Sequence, residues 1–124
     1  TLILISGNHD EELLSNNLEL IPFYKLKNIF FIHQLSYDKN LQICGHFHPM
    51  VDTKFKGIRI RASCFVVSKN KIILPSFGTF TGGLNIKNNV FKGIIDKGTS
   101  ILMIYNQKII NIGYQPNKNL LNFL

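Results

Sequence analysis

The sequence predicts an α/β layered domain. Three observations point there: short apolar runs that each end in a polar, histidine-bearing stretch, one amphipathic segment of helical period between the first two of them, and a strand-rich remainder after residue 49.

Residues 2–6 are the first strand, an apolar run stopped by Gly7. Asp10 then fits the N-cap of a helix over residues 11–20. Glu11 and Glu12 stand in its first turn, where the positive end of the helix dipole favours them, and Leu13, Leu14 and Leu18 form its apolar face. Residues 28–33, rich in Ile and Phe, are the second strand, and residues 41–44 are the third, running into Gly45. Over residues 58–67 Arg59 and Arg61 alternate with Ile58 and Ile60. A strand at residues 72–74 follows, and then a hairpin of residues 100–105 and 108–112 around Asn106-Gln107. Residues 116–124 have no clear periodicity and are expected either to dock as a short tail or to fray.

Two motifs stand at the ends of these strands: Gly7-Asn8-His9-Asp10 and Gly45-His46-Phe47-His48-Pro49, with His33 between them. Together they use all 4 histidines of the chain. Imidazole and amide oxygen are suitable ligands for Zn, Mn, Fe or Ni. His46 and His48, two apart in an extended segment, are expected to project to the same side and to serve two adjacent ions. Gly7 and Gly45 let the backbone turn tightly or approach a ligand closely, and Pro49 stops the strand from continuing. From the residues alone a plainer alternative stays open, with His33 a satisfied core histidine and His46 and His48 ordinary loop residues.

Further on, residues 74–85 read Leu-Pro-Ser-Phe-Gly-Thr-Phe-Thr-Gly-Gly-Leu-Asn. This glycine-rich, hydroxyl-bearing stretch is suited to lining a cleft or offering its amides to a phosphate, with a plain turn as the alternative.

In order and content these places resemble the calcineurin-like metallophosphoesterases, whose later motifs are GNH[DE], an isolated His after a strand, and GHxH. Residues 45–49, Cys64-Phe65-Val66-Val67 and residues 74–85 are similar to the subgroup encoded beside DNA ligases and helicases. The resemblance implies the C-terminal part of a four-layer α/β/β/α sandwich. It implies that Asn8, His33 and His46 bind one divalent ion and His48 the other, with Mn favoured and Zn, Fe or Ni as alternatives. It places His9 beside the leaving-group oxygen, as proton donor or stabiliser of developing charge, with Asp10 orienting it. Asp10 as helix cap stays the competing role. The implied reaction is phosphodiester hydrolysis, in which the ions lower the pKa of a bound water and hold the phosphoryl oxygens; in the subgroup it implies a nuclease acting in DNA repair.

The family's earlier motifs, an Asp-x-His and a Gly-Asp, have no counterpart here, and they would supply the first ion's other ligands and the bridging carboxylate. Two dications ~3.5 Å apart repel by roughly 19 kcal/mol at an effective dielectric of about 20, so a bridging anion is required. Asp38, Asp52 and Asp96 are expected in turns and solvated loops. The expectation is therefore a single, N-terminally incomplete domain over residues 1–124, a piece of a longer protein, a processed product or the translation of a broken gene. Alone it would hold at most one weakly bound ion, and its missing segment would join in cis or in trans.

A net charge of +7 suits a polyanionic substrate such as DNA, and Lys54, Lys56, Arg59 and Arg61 follow the second histidine motif where a nucleic-acid backbone could run. An AT-rich coding sequence would produce the same Lys, Asn and Ile bias without selection for binding. Cys44 and Cys64 lie outside any C-x-x-C pattern and are expected as free thiols, Cys44 in a buried strand. No membrane-length apolar run or signal peptide pattern is present, so no membrane partner and a cytoplasmic location are expected. Besides the phosphoesterase, two alternatives stay open: a catalytically inactive remnant of a split or truncated gene, and a basic nucleic-acid-binding module.

Overall fold

The computed structural model describes residues 1–10, 19–78 and 81–113, with the backbone alone at Phe55. Residues 11–18 of the expected helix lie outside these, as do Thr79 and Phe80 of the glycine-rich stretch and the tail at 116–124. At the expected end of that helix, Leu20 instead opens a strand.

In chain order the strands are β1 (Leu4–Ile5), β2 (Leu20–Ile21), β3 (Phe23–Leu26), β4 (Ile29–Ile32), β5 (Leu41–Cys44), β6 (Pro49–Phe55), β7 (Ile58–Val67), β8 (Lys71–Ile73), β9 (Leu84–Asn85), β10 (Ser100–Tyr105) and β11 (Lys108–Asn111). The α/β layering expected from the sequence is not confirmed, since residues 11–18 of its one expected helix lie outside the described residues. They are mostly sheet, and their helical structure amounts to Asp10 and a single 3₁₀ turn at Asn89–Phe91. β6 and β7 join through Lys56-Gly57 and β10 and β11 through Asn106-Gln107, all four at positive φ, the backbone of two-residue hairpin turns that match strand twist. Residues 86–99 are broken by side-chain turns at Asn85, Asn88 and Asp96, each of which takes a nearby backbone N–H away from a helical ladder.

The main sheet runs β11-β10-β7-β8-β5-β4-β3, with β4, β5 and β8 parallel and the rest antiparallel. β7 serves two sheets. Its first part pairs with β6, which also carries β9, while its end pairs with β10 and β8. β1 and β2 stand apart as a parallel pair. Pro22 follows β2 and has no N–H to extend a ladder, so the chain leaves that pair and resumes as β3 against β4.

Alternation along β7 decides its faces: Ile60, Ala62, Cys64 and Val66 are buried and Arg59 and Arg61 exposed. Ile58, at the hairpin end, is exposed as well, contrary to its place in the expected alternation. The core gathers Cys64, Val66, Ile73, Ile101 and Met103, all fully buried, with Phe91 and Cys44 against them. Beneath residues 36–40 lies a polar patch. Lys71, 5% exposed, donates from Nζ to the carbonyls of Asp38 (2.9 Å) and Asn40 (2.7 Å), and Gln42 opposite it accepts the Ser36 N–H. One cation of the basic surplus is thereby used inside, its desolvation offset by the two carbonyls and by the Asp38 carboxylate 3.5 Å away.

Both cysteines are buried and free. Burial pushes the thiol of Cys44 up to about 11 and that of Cys64 up to about 12. In the unfolded chain such thiols ionise near about 8.5. The folded state thus holds protons the unfolded state has lost, and stability intact below that value falls as pH rises toward about 11 to 12. A thiol-directed colorimetric reagent at about pH 7.5, well below the folded-state values, is expected to leave both native cysteines unmodified and to count both in denaturant. Rapid labelling of either in the native protein would contradict this burial.

Candidate metal centre

Asn8, His33 and His46 arrive from the C-terminal ends of β1, β4 and β5. Two backbone bonds hold those ends in place: Ser6 N–H donates to Ile21 C=O (2.9 Å) and Gly45 N–H to His33 C=O (3.0 Å). The His33 Nε2 is then 2.9 Å from Asn8 Oδ1 and 3.1 Å from His46 Nδ1. An amide oxygen only accepts, so His33 carries its proton on Nε2 in this state. With a metal ion in place of that proton, His33 Nε2 would be a donor with Asn8 Oδ1 and His46 Nδ1 beside it. For bonds of about 2.1 Å, ligands at right angles are about 3.0 Å apart, so both separations fit edges of an octahedral shell.

The protonation balance suits a ligand. Burial lowers the pKa of His33 and repulsion from His46 lowers it further, while Asp10 opposes them. The net lowering keeps the ring neutral at pH 7, as metal binding requires. Gly7 makes the approach possible: a Cβ there would lie 3.0 Å from His33 Cε1 and 3.1 Å from its Nδ1. The close approach expected at Gly7 is present, whereas Gly45 has open space around it.

The amide of Asn8 is committed on both sides, since its Nδ2 donates to His9 Nε2 at 3.0 Å. His9 therefore accepts at Nε2 and bears its proton on Nδ1. Asp10 turns back, its carboxylate accepting the Gly7 N–H and facing the His33 ring. In this geometry Asp10 serves Gly7 and His33, and the bond that orients His9 comes from Asn8.

The extended segment expected at His46 and His48 is not formed. Phe47 N–H donates to Gly45 C=O (2.8 Å), closing a tight turn, and His46 and His48 sit at φ 63° and 46°. Left-handed backbone at two non-glycine residues costs about 1–3 kcal/mol each and persists only where the surroundings over-determine it. Here the determinant is Phe47, buried between the His46 ring (centroids 5.1 Å) and the Phe91 ring (6.0 Å). Putting Phe47 into the core turns the two histidines to different neighbours: His46 to His33 (3.1 Å), and His48 to the carbonyl of Gly82 (3.1 Å). That carbonyl can only accept, so His48 is protonated at Nδ1 and its Nε2 lone pair is open. Pro49 does not end a strand but begins β6, the first position of a strand being one where a missing N–H is tolerated.

Gly82 belongs to the glycine-rich stretch, which docks on this loop. Leu84 N–H reaches the His48 carbonyl (3.1 Å) and Ile86 N–H that of Met50 (2.9 Å). Nothing in the sequence announced this clamp, although the paired glycines Gly82-Gly83 were the available signal. Of the three other aspartates, Asp52 lies within β6 and takes a forked bond from Arg59 (2.8 and 2.5 Å), a correction to its expected place in a loop. Asp38 and Asp96 do sit in turns, bonded to the N–H groups of Asn40 and Gly98.

Among the described residues, no three His, Cys, Asp or Glu side chains converge as a metal-holding group. The three donors that do meet are two imidazoles and an amide, about half of one ion's octahedral shell. For a second ion the described residues offer His48 alone from the expected set.

No family model matches the chain, and no curated protein sequence matches it. Among solved structures, the nuclease MPE of Pseudomonas putida superposes with a TM-score of 0.61 over 89% of this chain at 23% identity. At that identity the likeness is one of fold. The chain spans 53% of the length of that neighbour, about half.

Proposed function

We propose that this chain carries part of the centre of a metal-dependent phosphoesterase acting on phosphodiesters, nucleic acid among them. The single observation behind this is the meeting of Asn8 Oδ1 and His46 Nδ1 on His33 Nε2, at 2.9 and 3.1 Å, from the ends of three strands. The resemblance of the motifs and the fold likeness to a nuclease support the same reading. Asn8, His33 and His46 would hold one divalent ion, Mn first among the candidates, and His48 would offer Nε2 to a second. Bound there, the ions would lower the pKa of a water and neutralise phosphoryl charge. His9, joined to Asn8, is exposed beside the ligand set, where it would give a proton to the leaving oxygen. Asp10 would steady the His33 side of the loop.

A second reading is a non-catalytic remnant with one weak ion, and what bears on it is that the described residues bring together two imidazoles and an amide without a carboxylate ligand. The test is hydrolysis of a chromogenic phosphodiester with added Mn by the chain alone, by His46→Ala, and by the chain mixed with a supplied segment bearing Asp-x-His and Gly-Asp. Activity only in the mixture, abolished by His46→Ala, is expected. Inactivity of the folded mixture would favour the remnant, and activity of the chain alone would show that the absent carboxylates are dispensable.

A further inference from the structure

One face of the β6–β7 ribbon carries Met50 opposite Ser63, Asp52 opposite Arg61 and Lys54 opposite Arg59. Residues directly opposite one another, and residues two apart on one strand, share a face, so these six line one surface. The opposite face is the buried one, with Val51, Ile60 and Ala62. The charged face starts beside the His48–Gly82 contact. A Cβ at Gly83 would lie 2.6 Å from Met50 Cγ, and Gly83 follows the residue whose carbonyl holds His48. From Met50 the surface runs outward to Asp52 and Lys54, a rise of about 3.3 Å per residue.

Both arginines turn onto one carboxylate. Arg59 forks onto Asp52, and Arg61 Nε stands 4.0 Å from the same group. Their side chains remain 62% and 52% exposed, against 22% for Asp52. A guanidinium has five N–H donors, and this fork uses two of those on Arg59. Asp52 therefore orders the pair without covering it, and three cations face solvent over one anion.

We propose that this face is the track for the sugar-phosphate backbone of a polynucleotide, with Arg59, Arg61 and Lys54 taking successive phosphates of a strand whose scissile ester lies at the histidine loop. The proposal rests on the phosphoesterase reading for where the strand begins, but the track itself is a binding surface and is tested without catalysis. Phosphate contacts carry the affinity of such binding and set its salt dependence.

The test is fluorescence anisotropy of a labelled single-stranded DNA oligonucleotide titrated with the full chain in chelator at several salt concentrations. The Arg59→Ala/Arg61→Ala pair is expected to weaken binding about tenfold or more at low salt and to reduce the log–log salt slope by about 1.4, ~0.7 for each phosphate no longer neutralised. Asp52→Asn, which removes the competing anion and leaves both arginines, is expected to tighten binding. A Lys92→Ala/Lys97→Ala pair, with the same charge removed elsewhere, should leave the slope unchanged. Absence of binding by the chain, an unchanged slope in the arginine pair, or an equal weakening in the lysine pair would overturn the track. Chromogenic phosphodiester hydrolysis, run in parallel with Mn and the supplied segment, separates the two claims. Arginine-dependent binding without hydrolysis keeps the track and removes the catalytic reading, and hydrolysis with arginine-independent binding does the reverse.

Discussion

Phe91→Ala is expected to cost about 3–5 kcal/mol of stability, the range for truncating a large aromatic ring in a closed core. Phe91 is 1% exposed and meets Phe47 edge to face at 6.0 Å. The ring contacts continue from Phe47 to His46 (5.1 Å) and from His46 to His33 (5.0 Å). Phe47 is the residue whose burial bends the histidine loop, so a cavity beneath it should loosen the loop as well as the core. Urea unfolding would give the destabilisation, and the imidazole NMR signals of His33 and His46 in the folded state would report the loop. Ile101→Ala, also at a fully buried position, should cost about 2–5 kcal/mol while leaving those signals in place. A destabilisation below about 1 kcal/mol for Phe91→Ala, or histidine shifts equal in both variants, would show that the loop does not rest on this ring.

Gly83→Ala is expected to destabilise by about 2–3 kcal/mol, from overpacking and broken hydrogen bonds together. The added Cβ would fall 2.5 Å from the backbone oxygen of His48 and 2.6 Å from Met50 Cγ. Met50 can swing aside, but the carbonyl is part of a strained turn and cannot. The 82–86 segment would have to retreat, giving up the bonds from Leu84 N–H to His48 C=O and from His48 to Gly82 C=O. The specific readout is the tautomer of His48 by nitrogen NMR at alkaline pH, with the proton on Nδ1 in the native chain and shared between both nitrogens in the variant. Gly82→Ala is the control, since its Cβ would meet nothing within 4 Å and its φ is unexceptional. Equal behaviour of the two alanine variants would refute the clamp.

Much of the strand content was legible in the sequence. Residues 41–44, 58–67 and 100–105 form the strands read from their apolar runs and alternation, because β-branched side chains and period-2 burial are local properties. The Asn106-Gln107 hairpin was legible for the same reason. β3 was missed because Phe23–Leu26 alternates weakly and is largely exposed, stabilised by pairing with β4 instead of burial. β6 was missed because Pro49 read as a stop. The buried Lys71 was missed too, since a lysine beside Ile72 and Ile73 gives no sign that two carbonyls wait under the next loop.

Read without coordinates, the residues established a set of chemical groups and the order in which strand ends deliver them: an amide and four imidazoles, two free thiols, and an alternating basic strand. Which atom meets which was settled by packing. Asn8 and His33 are 25 residues apart and His48 and Gly82 34, so these contacts depend on how whole strands register against one another. The same packing split His46 from His48, because burying Phe47 forced a left-handed turn on either side of it. It also gave Asp52 to Arg59 and Arg61, a pairing set by cross-strand register and invisible to spacing along the chain.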